Sequence, residues 1–515
     1  MSKKFGVVDL FAGPGGLAEG FASFKDESGN HPFKICISIE KESSAHSTLL
    51  LRSFLRKFEG GYPAEYYAFL NREIIDEPAW DQIYPKQWQE ACEEAKCMEL
   101  GKQETTEFIT NKINAIKQDF GTNTIVIGGP PCQAYSLVGR ARNAGNVDYV
   151  PQEDHRHFLY KEYVAVLNKL EPAAFIMENV KGMLSSAIKG DRVFLQVMAD
   201  LRSAAGEGSY KLFALSPKGL RRIAENDPEP SDFIVRTEDH GVPQARHRVI
   251  IVGIRNDVAD RLPNDFKLEM PYSGKVVTVH DVIGNMPKLR SGLSKRADTP
   301  EAWFEVVIQS VQAILPILSN YSEGEKSEFK SILENCVAEL ALDELPTRSS
   351  SQFKRSMNKS CPERLRDWLS DSKLTYLPNN ETRGHMESDL ARYMFAAAFG
   401  RIFKRSPKAF EYPRELAPNH KNWESGKFSD RFRVQISNKP STTITSHISK
   451  DGHYFIHPDP KQCRSLTVRE AARLQTFPDN YFFKGNRTQQ YVQVGNAVPP
   501  LFANMIATKL WSIFN

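Results

Sequence analysis

The sequence lacks the marks of several large classes of protein. It has an odd number of cysteines, seven, and the closest pair, Cys92 and Cys97, is spaced for neither a zinc knuckle nor a CxxC redox motif. We therefore expect a reducing, intracellular location and no bound metal. No apolar run approaches the roughly 18 residues of a membrane span. Asp9, Pro14 and Glu19 interrupt the apolar N-terminal stretch, so we expect no signal peptide.

The chain also carries little net charge for its length. Its 67 Lys and Arg residues exceed its 63 Asp and Glu residues by four over 515 positions. An anionic partner must therefore be bound by a local basic patch rather than by the whole surface. The hydrophobic content of 41% and the charged content of 25% are those of an ordinary soluble protein. The length exceeds one compact core, and we expect about two to four domains.

One cysteine follows a predicted strand and a rigid turn. Residues 125–127 are β-branched, as in a buried strand, and Gly128-Gly129-Pro130-Pro131 leads directly to Cys132. The glycines let another molecule approach the backbone, and the prolines fix φ. An unpaired cysteine is more often a packing residue, but a thiol held at a strand end is also a candidate nucleophile. The remaining motifs decide between these interpretations.

Three other predicted strands end on glycine-rich or acidic segments. They are residues 5–10, which lead into Phe11-Ala12-Gly13-Pro14-Gly15-Gly16; residues 33–39, which end at Glu40; and residues 173–177, which end at Glu178-Asn179-Val180. In a doubly wound α/β sheet the carboxyl ends of the strands border one crevice, so these segments and Cys132 would face one ligand. Ala18 stands where a GxGxxG fingerprint needs its third glycine, which weakens a dinucleotide interpretation. A cofactor without a pyrophosphate remains open.

An acid at the end of a second strand, such as Glu40, is placed to bind a pair of ribose hydroxyls, although a surface carboxylate is equally common. Further along, period-two alternation puts Gln244, Arg246 and Arg248 on one strand face near the predicted crevice. Residues 137–152 combine Gly and Arg, which suits a loop that closes over a phosphate backbone, though a plain solvent loop would look similar.

Two other stretches differ in character from the strand–helix pattern. Residues 51–120 are polar and helical, and we interpret them as an insertion. Beyond about Pro271 we expect a second domain. Between Arg392 and Arg433 it has ten Lys or Arg against four Asp or Glu, with aromatic residues interleaved. Such a stretch suits a nucleic-acid face, although a solvated charge run is about as common.

Together, six blocks resemble the 5-methylcytosine DNA methyltransferase family. They are residues 9–16, Gly129-Pro130-Pro131-Cys132-Gln133, Glu178-Asn179-Val180, Gln244-x-Arg246-x-Arg248, residues 464–478 and residues 493–500, all in the family's order. The resemblance spans almost the whole chain. The region between about 256 and 463 corresponds to the family's variable target-recognition segment, where the resemblance does not reveal which DNA sequence is read.

The resemblance implies a fold and an activity. The fold is a doubly wound, Rossmann-like α/β domain for S-adenosylmethionine-dependent methyl transfer, formed by residues 1–275 and 488–515 with residues 51–120 as a helical insertion. A smaller target-recognition domain would cover residues 276–487. The activity is that of a DNA (cytosine-5-)-methyltransferase of the bacterial restriction-modification type, acting on a cytosine flipped out of double-stranded DNA.

The resemblance also assigns roles to single residues. Cys132 adds to C6 of the cytosine, Glu178 contacts N3 and the exocyclic amine, Arg246 contacts O2 and Arg248 supports that site. The residues implied for S-adenosyl-L-methionine are Phe11, Gly13, Gly15, Glu40, Pro131 and Asn496. The family often has an acid for the adenine amine at the start of the strand before the nucleophile. Thr124 stands there, so either Asp119 substitutes or the contact is lost.

The implied partners are double-stranded DNA and a cognate restriction endonuclease, with the protein as a monomer in the bacterial cytoplasm, associated with the nucleoid through DNA. Two alternatives remain at this point. One branch of the same family methylates cytosine in tRNA, and a catalytically silent DNA-binding protein would have the same fold.

Overall fold

The structure is a computed structural model of the chain. It describes residues 3–131, 159–185, 187–188, 191–217, 229–263, 265–350, 357–419, 423 and 431–515. The predicted nucleophile Cys132 and the predicted loop 137–152 lie outside the described residues. The chain divides into two compact units: unit 1 is Met1–Pro63, Pro78–Lys275 and Ala497–Asn515, and unit 2 is Ala64–Glu77 and Val276–Asn496. Within the described part, no helix has the length and apolarity to cross a membrane.

Unit 1 is built on one eight-stranded sheet. In chain order its strands are β1 (Phe5–Leu10), β2 (Phe33–Glu40), β3 (Ala95–Cys97), β4 (Thr124–Gly128), β5 (Ala174–Val180), β6 (Tyr210–Ala214), β7 (Ile234–Arg236) and β8 (His247–Arg255). The order across the sheet is β7-β8-β5-β4-β1-β2-β3, and β6 also pairs with β8. Strands β1 to β5 are parallel, whereas β8 is antiparallel to β5, β6 and β7. The predicted doubly wound α/β arrangement is therefore confirmed.

Both units contain helices. In chain order they are α1 (Gly16–Ala22), α2 (Ser43–Leu55), α3 (Ala64–Leu70), α4 (Trp80–Ile83), α5 (Pro85–Glu94), α6 (Gln103–Phe120), α7 (Leu159–Leu170), α8 (Val193–Arg202), α9 (Asn256–Ala259), α10 (Val279–Ile283), α11 (Pro300–Ile314), α12 (Glu323–Leu342), α13 (Glu363–Leu369), α14 (Glu387–Phe403), α15 (Val468–Leu474), α16 (Arg487–Asn496) and α17 (Pro500–Phe514). Helices α3 and α10–α16 belong to unit 2.

The central strands are apolar because helices cover both faces of the sheet. Every residue of β1 and β4 is buried, as expected for parallel strands between two helical layers. On one face, Val8, Leu10 and Val126 join residues of α6, α7 and α8 in a single apolar cluster. On the other face, the Phe5 ring packs against the rings of Trp511 and Phe514 in α17.

Helix α1 lies unusually close to α17, also in unit 1. A Cβ atom placed on Gly20 would lie 2.4 Å from Cβ of Ala503, 2.5 Å from the carbonyl oxygen of Pro500 and 2.6 Å from the backbone nitrogen of Asn504. The Asn504 side-chain amide donates a hydrogen bond to the carbonyl of Gly20 (3.1 Å). This approach fixes the helix that follows the glycine-rich turn.

The region 51–120 differs from an all-helical insertion. It contains helices α3 to α6, but also β3, which extends the main sheet beside β2. Residues 64–77 fall in unit 2, and so do residues 488–496, which were predicted for the catalytic domain. The predicted start of the second domain at residue 276 coincides with the division between the units. The assignment of domain functions stays a prediction.

Unit 2 is mainly helical. Its apolar core is formed chiefly by α11, α12 and α14, with Trp303 fully buried and the rings of Phe329 and Phe395 stacked at a centroid distance of 5.5 Å. The predicted capping box at the start of α15 is confirmed, because Thr467 and Glu470 bond each other's backbone N–H groups.

Candidate active site at the carboxyl edge of the sheet

The turn after β1 has the backbone geometry of a binding loop. Phe11, Gly13 and Gly15 have positive φ values of 57°, 58° and 99°. Glycine adopts such values freely, but in a bulky residue they are strained, and such strain is concentrated at functional sites. A Cβ atom on Gly13 would meet no heavy atom within 4 Å. The turn therefore leaves room for a ligand against its backbone.

Glu40 fixes this turn from the end of β2. Its Oε2 accepts a hydrogen bond from the backbone N–H of Gly13 (2.8 Å), and its Oε1 accepts one from the N–H of Glu42 (2.8 Å). Burial raises the pKa of the Glu40 carboxyl above its usual value, and these N–H bonds act in the opposite direction. Because β1 and β2 are parallel neighbours, the structure brings Phe11, Gly13 and Glu40 together at one edge, as predicted.

A buried set of ion pairs lies behind the turn. Nη2 of Arg52 on α2 donates to Oε1 of Glu19 on α1 (2.6 Å) and also to the Tyr62 hydroxyl (2.7 Å). Arg56 in turn bonds Glu94 (2.6 Å). Burying these charges is costly unless they are paired, so the contacts hold α1 and α2 in fixed positions.

Asp9, near the end of β1, is fully buried. Neither of its carboxylate oxygens has a hydrogen-bond partner among the described residues. Burial raises the pKa of this carboxyl well above its usual value. A neutral carboxyl group beside the turn is the form that costs least in such an environment.

Strand β3 brings to the same edge two residues that the sequence analysis does not predict there. The backbone N–H of Met98, just after β3, donates to the carbonyl of Glu40 (3.0 Å), so Met98 and Glu99 lie beside the predicted ribose acid. Asp119 does not lie there. It is exposed at the end of α6, just before β4 begins, which is the opposite edge of the sheet. The suggestion that Asp119 takes over an adenine contact is therefore wrong.

Glu178 lies against the turn that precedes Cys132. A Cβ atom on Gly129 would lie 3.1 Å from Glu178 Oε2, so the carboxylate covers that glycine. The side-chain amide of the next residue, Asn179, donates to the carbonyl of Pro130 (3.3 Å). The end of β5 thus holds the Gly129-Pro130 turn from two sides, and Pro131 follows it half-buried.

Arg248 forms an ion pair with Glu178. The two contact each other through Arg248 Nε and Glu178 Oε1 (2.9 Å), and both side chains are largely buried. The contact arises because β8 runs antiparallel to β5, which brings the start of β8 to the carboxyl edge, with Arg248 opposite Val180. The predicted residues Glu178 and Arg248 are therefore neighbours.

Arg246 is buried near the same pair. It precedes β8, and burial, together with the nearby positive charge of Arg248, lowers the pKa of its guanidinium well below the usual value, while Glu178 acts in the opposite direction. A buried cation beside a carboxylate and a second cation is poised to bind an electron-rich atom of a ligand. Asn496, also predicted at the cofactor, is the last residue of α16 in unit 2, and its role stays a prediction.

The comparisons with known proteins identify the family of the chain. A sequence profile of the C-5 cytosine-specific DNA methylase family matches residues 82–512. The chain belongs to this family. Membership confirms the predicted resemblance, and with it the enzyme class, a DNA (cytosine-5-)-methyltransferase.

Curated relatives resemble the chain over long stretches. The type II methyltransferase M.Bpa9945I of Bacillus paralicheniformis is 31% identical over 527 aligned residues, which cover 99% of each chain. M.DdeI of Desulfomicrobium norvegicum is 27% identical and covers 75% of this chain and 72% of its own. The DNA (cytosine-5-)-methyltransferase M.ApeKI of Aeropyrum pernix is 27% identical and covers 76% and 81%.

Proposed function

We propose that this methyltransferase acts through Cys132 on a cytosine held by Glu178 and Arg246, with Arg248 supporting that site and S-adenosyl-L-methionine as methyl donor. The observation that carries the proposal is the Glu178–Arg248 ion pair, which holds a carboxylate over Gly129, three residues before Cys132. A carboxylate that Arg248 holds in place and the Arg246 guanidinium, at one edge of the sheet, can bond the polar edge of a cytosine ring.

The residues at the turn after β1 fit S-adenosylmethionine. This molecule offers a ribose hydroxyl pair, for which Glu40 is a fixed acceptor, and it has no pyrophosphate that would need the missing third glycine. Gly13 leaves room at its backbone, and Phe11 and Gly15 shape the same turn. The bound cofactor supplies a methyl group on a positively charged sulfur. From its place beside Glu40, we propose Glu99 as an acceptor for the adenine amine.

The chain's own residues activate the cytosine ring. The Cys132 thiolate forms a bond to C6 of the cytosine, and the electron pair of the C5–C6 double bond becomes available at C5 for the methyl group. N3 takes up a proton from solvent as the thiolate adds, the Glu178 carboxylate accepts hydrogen bonds from this N3–H and from the exocyclic amine, and Arg246 donates to O2, where negative charge develops. Water then takes the proton from C5, and the electron pair of the broken C5–H bond restores the C5–C6 double bond and expels the thiolate.

Arg248 orients Glu178 throughout these steps. Its Nε bonds one carboxylate oxygen and leaves the other, Oε2, on the side of Gly129. The carboxylate is thus held in one rotamer before the base arrives, which removes an ordering cost from the reaction. Arg248 is a positioning residue in this scheme.

The partners follow from the family. A cytosine inside a duplex is inaccessible to a thiol, so the base must be flipped out, and residues 137–152 are proposed to close over it. We propose unit 2 as the reader of the DNA sequence. By analogy with type II relatives, we also propose that the protein works as a monomer in the bacterial cytoplasm and protects DNA from a restriction endonuclease.

Mechanism-based trapping tests the central step. A duplex that contains 5-fluorocytosine should form a covalent adduct with the wild-type enzyme and cofactor. Fluorine occupies the position of the C5 proton that must leave before the enzyme is released, so the adduct persists. Cys132→Ser should abolish the adduct, whereas the control Cys92→Ser, in α5, should not. An adduct with the Cys132→Ser variant would contradict the assignment, and methyl transfer to tRNA but not to DNA would contradict the substrate.

A further inference from the structure

One phenylalanine in unit 2 is almost fully exposed. Phe410 lies in the single-turn 3₁₀ helix Ala409–Glu411 with 81% of its surface accessible, although its neighbours Ala409 and Tyr412 are buried. Exposing a phenyl ring forgoes the stabilisation that burial would give. Single exposed apolar side chains are common, so the surroundings of the ring decide whether it belongs to a binding surface.

The turn that presents Phe410 is held on both sides. Both carboxylate oxygens of Glu411 accept hydrogen bonds from Arg405 (2.7 and 2.5 Å), and Glu411 also accepts one from the N–H of Lys408 (2.7 Å). The Arg405 hydrogen bond lowers the pKa of the Glu411 carboxyl. On the other side, the Tyr412 hydroxyl donates to the carbonyl of Phe432 (3.0 Å). The ring is thus presented by a structured segment.

The sequence around Phe410 is rich in exposed cations. Between positions 401 and 415 the exposed charged side chains are Arg401, Lys404, Arg405, Lys408, Arg414 and Glu415, and Glu411 is half-buried. Arg401 is paired with Asp459, and Arg405 with Glu411. In the part of the chain that the structure describes, Lys404, Lys408 and Arg414 have no ion pair with a carboxylate. Three cations on the segment that carries Phe410 are therefore available to an anionic partner.

We propose that this segment, residues 404–414, contacts the DNA substrate, with Lys404, Lys408 and Arg414 on phosphates and the Phe410 ring against the bases. Cations that bind phosphates release condensed counterions, and apolar side chains of DNA-bending proteins insert between base steps. An acidic protein would also attract the cations, but an aromatic ring among phosphate-binding cations is the combination that suits stacked bases. The inference rests on DNA as the substrate.

Binding titrations at several salt concentrations separate the two contributions. The probe is a duplex that carries the sequence found methylated by bisulfite sequencing, with 2-aminopurine placed in turn at each position of that sequence. Phe410→Ala should weaken binding about 5- to 100-fold, as expected for the loss of base stacking. Its salt dependence should be unchanged and its 2-aminopurine signal reduced. Lys408→Gln should reduce the slope of log affinity against log salt by about 0.9.

A matched control uses another exposed apolar side chain. Leu342, at the end of α12, is 87% exposed but is followed by Asp343 and Glu344. Leu342→Ala should bind DNA as the wild type does. Thermal unfolding and cofactor binding of all three variants should match those of the wild type, which excludes misfolding as the cause.

Two results would overturn the inference. One is unchanged DNA affinity in Phe410→Ala while the wild type methylates the same duplex, which would leave the proposed function intact. The other concerns polyglutamate, used as a probe for an acidic protein partner. It is a Phe410→Ala variant that loses affinity for polyglutamate but keeps its affinity for DNA. Absence of methyl transfer by the wild-type protein would instead contradict the proposed function itself.

Discussion

The contact between α1 and α17 allows a quantitative prediction for Gly20→Ala. Alanine is favoured over glycine within a helix by about 1 kcal/mol, so propensity alone predicts a more stable protein. The new methyl group would, however, lie 2.4–2.6 Å from three atoms of α17, and two of these are backbone atoms that no side-chain rotation can move. Overpacking of this kind costs about 1–3 kcal/mol. Because the clash involves backbone atoms, we take the upper end of this range, about 3 kcal/mol. After subtraction of the gain of about 1 kcal/mol in helix propensity, the free energy of unfolding of unit 1 should fall by about 2 kcal/mol.

The effect should reach the cofactor turn, because α1 begins directly after Gly15. Hydrogen–deuterium exchange followed by mass spectrometry measures the opening free energy of peptides from each unit separately. Peptides of β1 and α1 should exchange faster in Gly20→Ala, whereas peptides of unit 2 should not change. Calorimetry should show weaker binding of S-adenosylhomocysteine, used as a stable cofactor analogue.

Gly324→Ala is the matched control. Gly324 lies in the first turn of α12, and a Cβ atom there would meet no heavy atom within 4 Å. The same substitution should therefore leave unit 2 as stable as before or stabilise it by up to about 1 kcal/mol. If Gly20→Ala stabilised unit 1 as well, the close approach of α1 and α17 would be refuted as a packing constraint.

Three further predictions concern ionisable side chains. Burial raises the pKa of Glu470, but the paired Arg464 outweighs it and holds the pKa at about 2. Against an unfolded value of 4.5, this corresponds to about 3 kcal/mol at neutral pH. Urea unfolding of Glu470→Gln should show that loss at pH 7, and the difference from the wild type should shrink as the pH falls from about 4.5 towards 2. Burial lowers the pKa of His457 from 6.5 to about 4, so between these pH values the unfolded state binds a proton that the folded state does not bind. The free energy of unfolding measured in urea should therefore be at its full value above pH 6.5 and fall below that pH. The fall should be smaller in His457→Asn. Finally, Glu40→Ala should weaken binding of S-adenosylhomocysteine about 10- to 100-fold by calorimetry, because it removes a charged hydrogen-bond acceptor, whereas Glu42→Ala should not.

Much of the fold was predictable because the strands carry a strong local signal. The continuous apolar runs of β1, β4 and β5, each followed by a glycine or an acid, predicted both the sheet and the edge at which the site lies. The capping box of α15 was also a local signal. These features depend on residues that are close in sequence, so no knowledge of tertiary contacts was needed.

The elements that were missed depend on long-range contacts. Strand β3 has the sequence Ala95-Lys96-Cys97, which contains no β-branched residue, and it is a strand because it pairs with β2. The Glu178–Arg248 ion pair depends on the antiparallel register of β5 and β8, which sequence spacing does not reveal. For the same reason, sequence reasoning did not foresee that residues 64–77 belong to unit 2.

The packing of α1 against α17 also has a consequence for biosynthesis. Strand β1 and helix α1 leave the ribosome before unit 2 is made, but the helix that covers them, α17, is made only after the whole sequence of unit 2. Until then, the apolar surface around Phe5 and Gly20 has no cover, and the nascent cofactor turn lacks its support. Because Lys3 donates a hydrogen bond to the carbonyl of Phe514 (2.8 Å), the two segments lie side by side, and a variant with α17 placed directly before β1 would translate the two helices in succession.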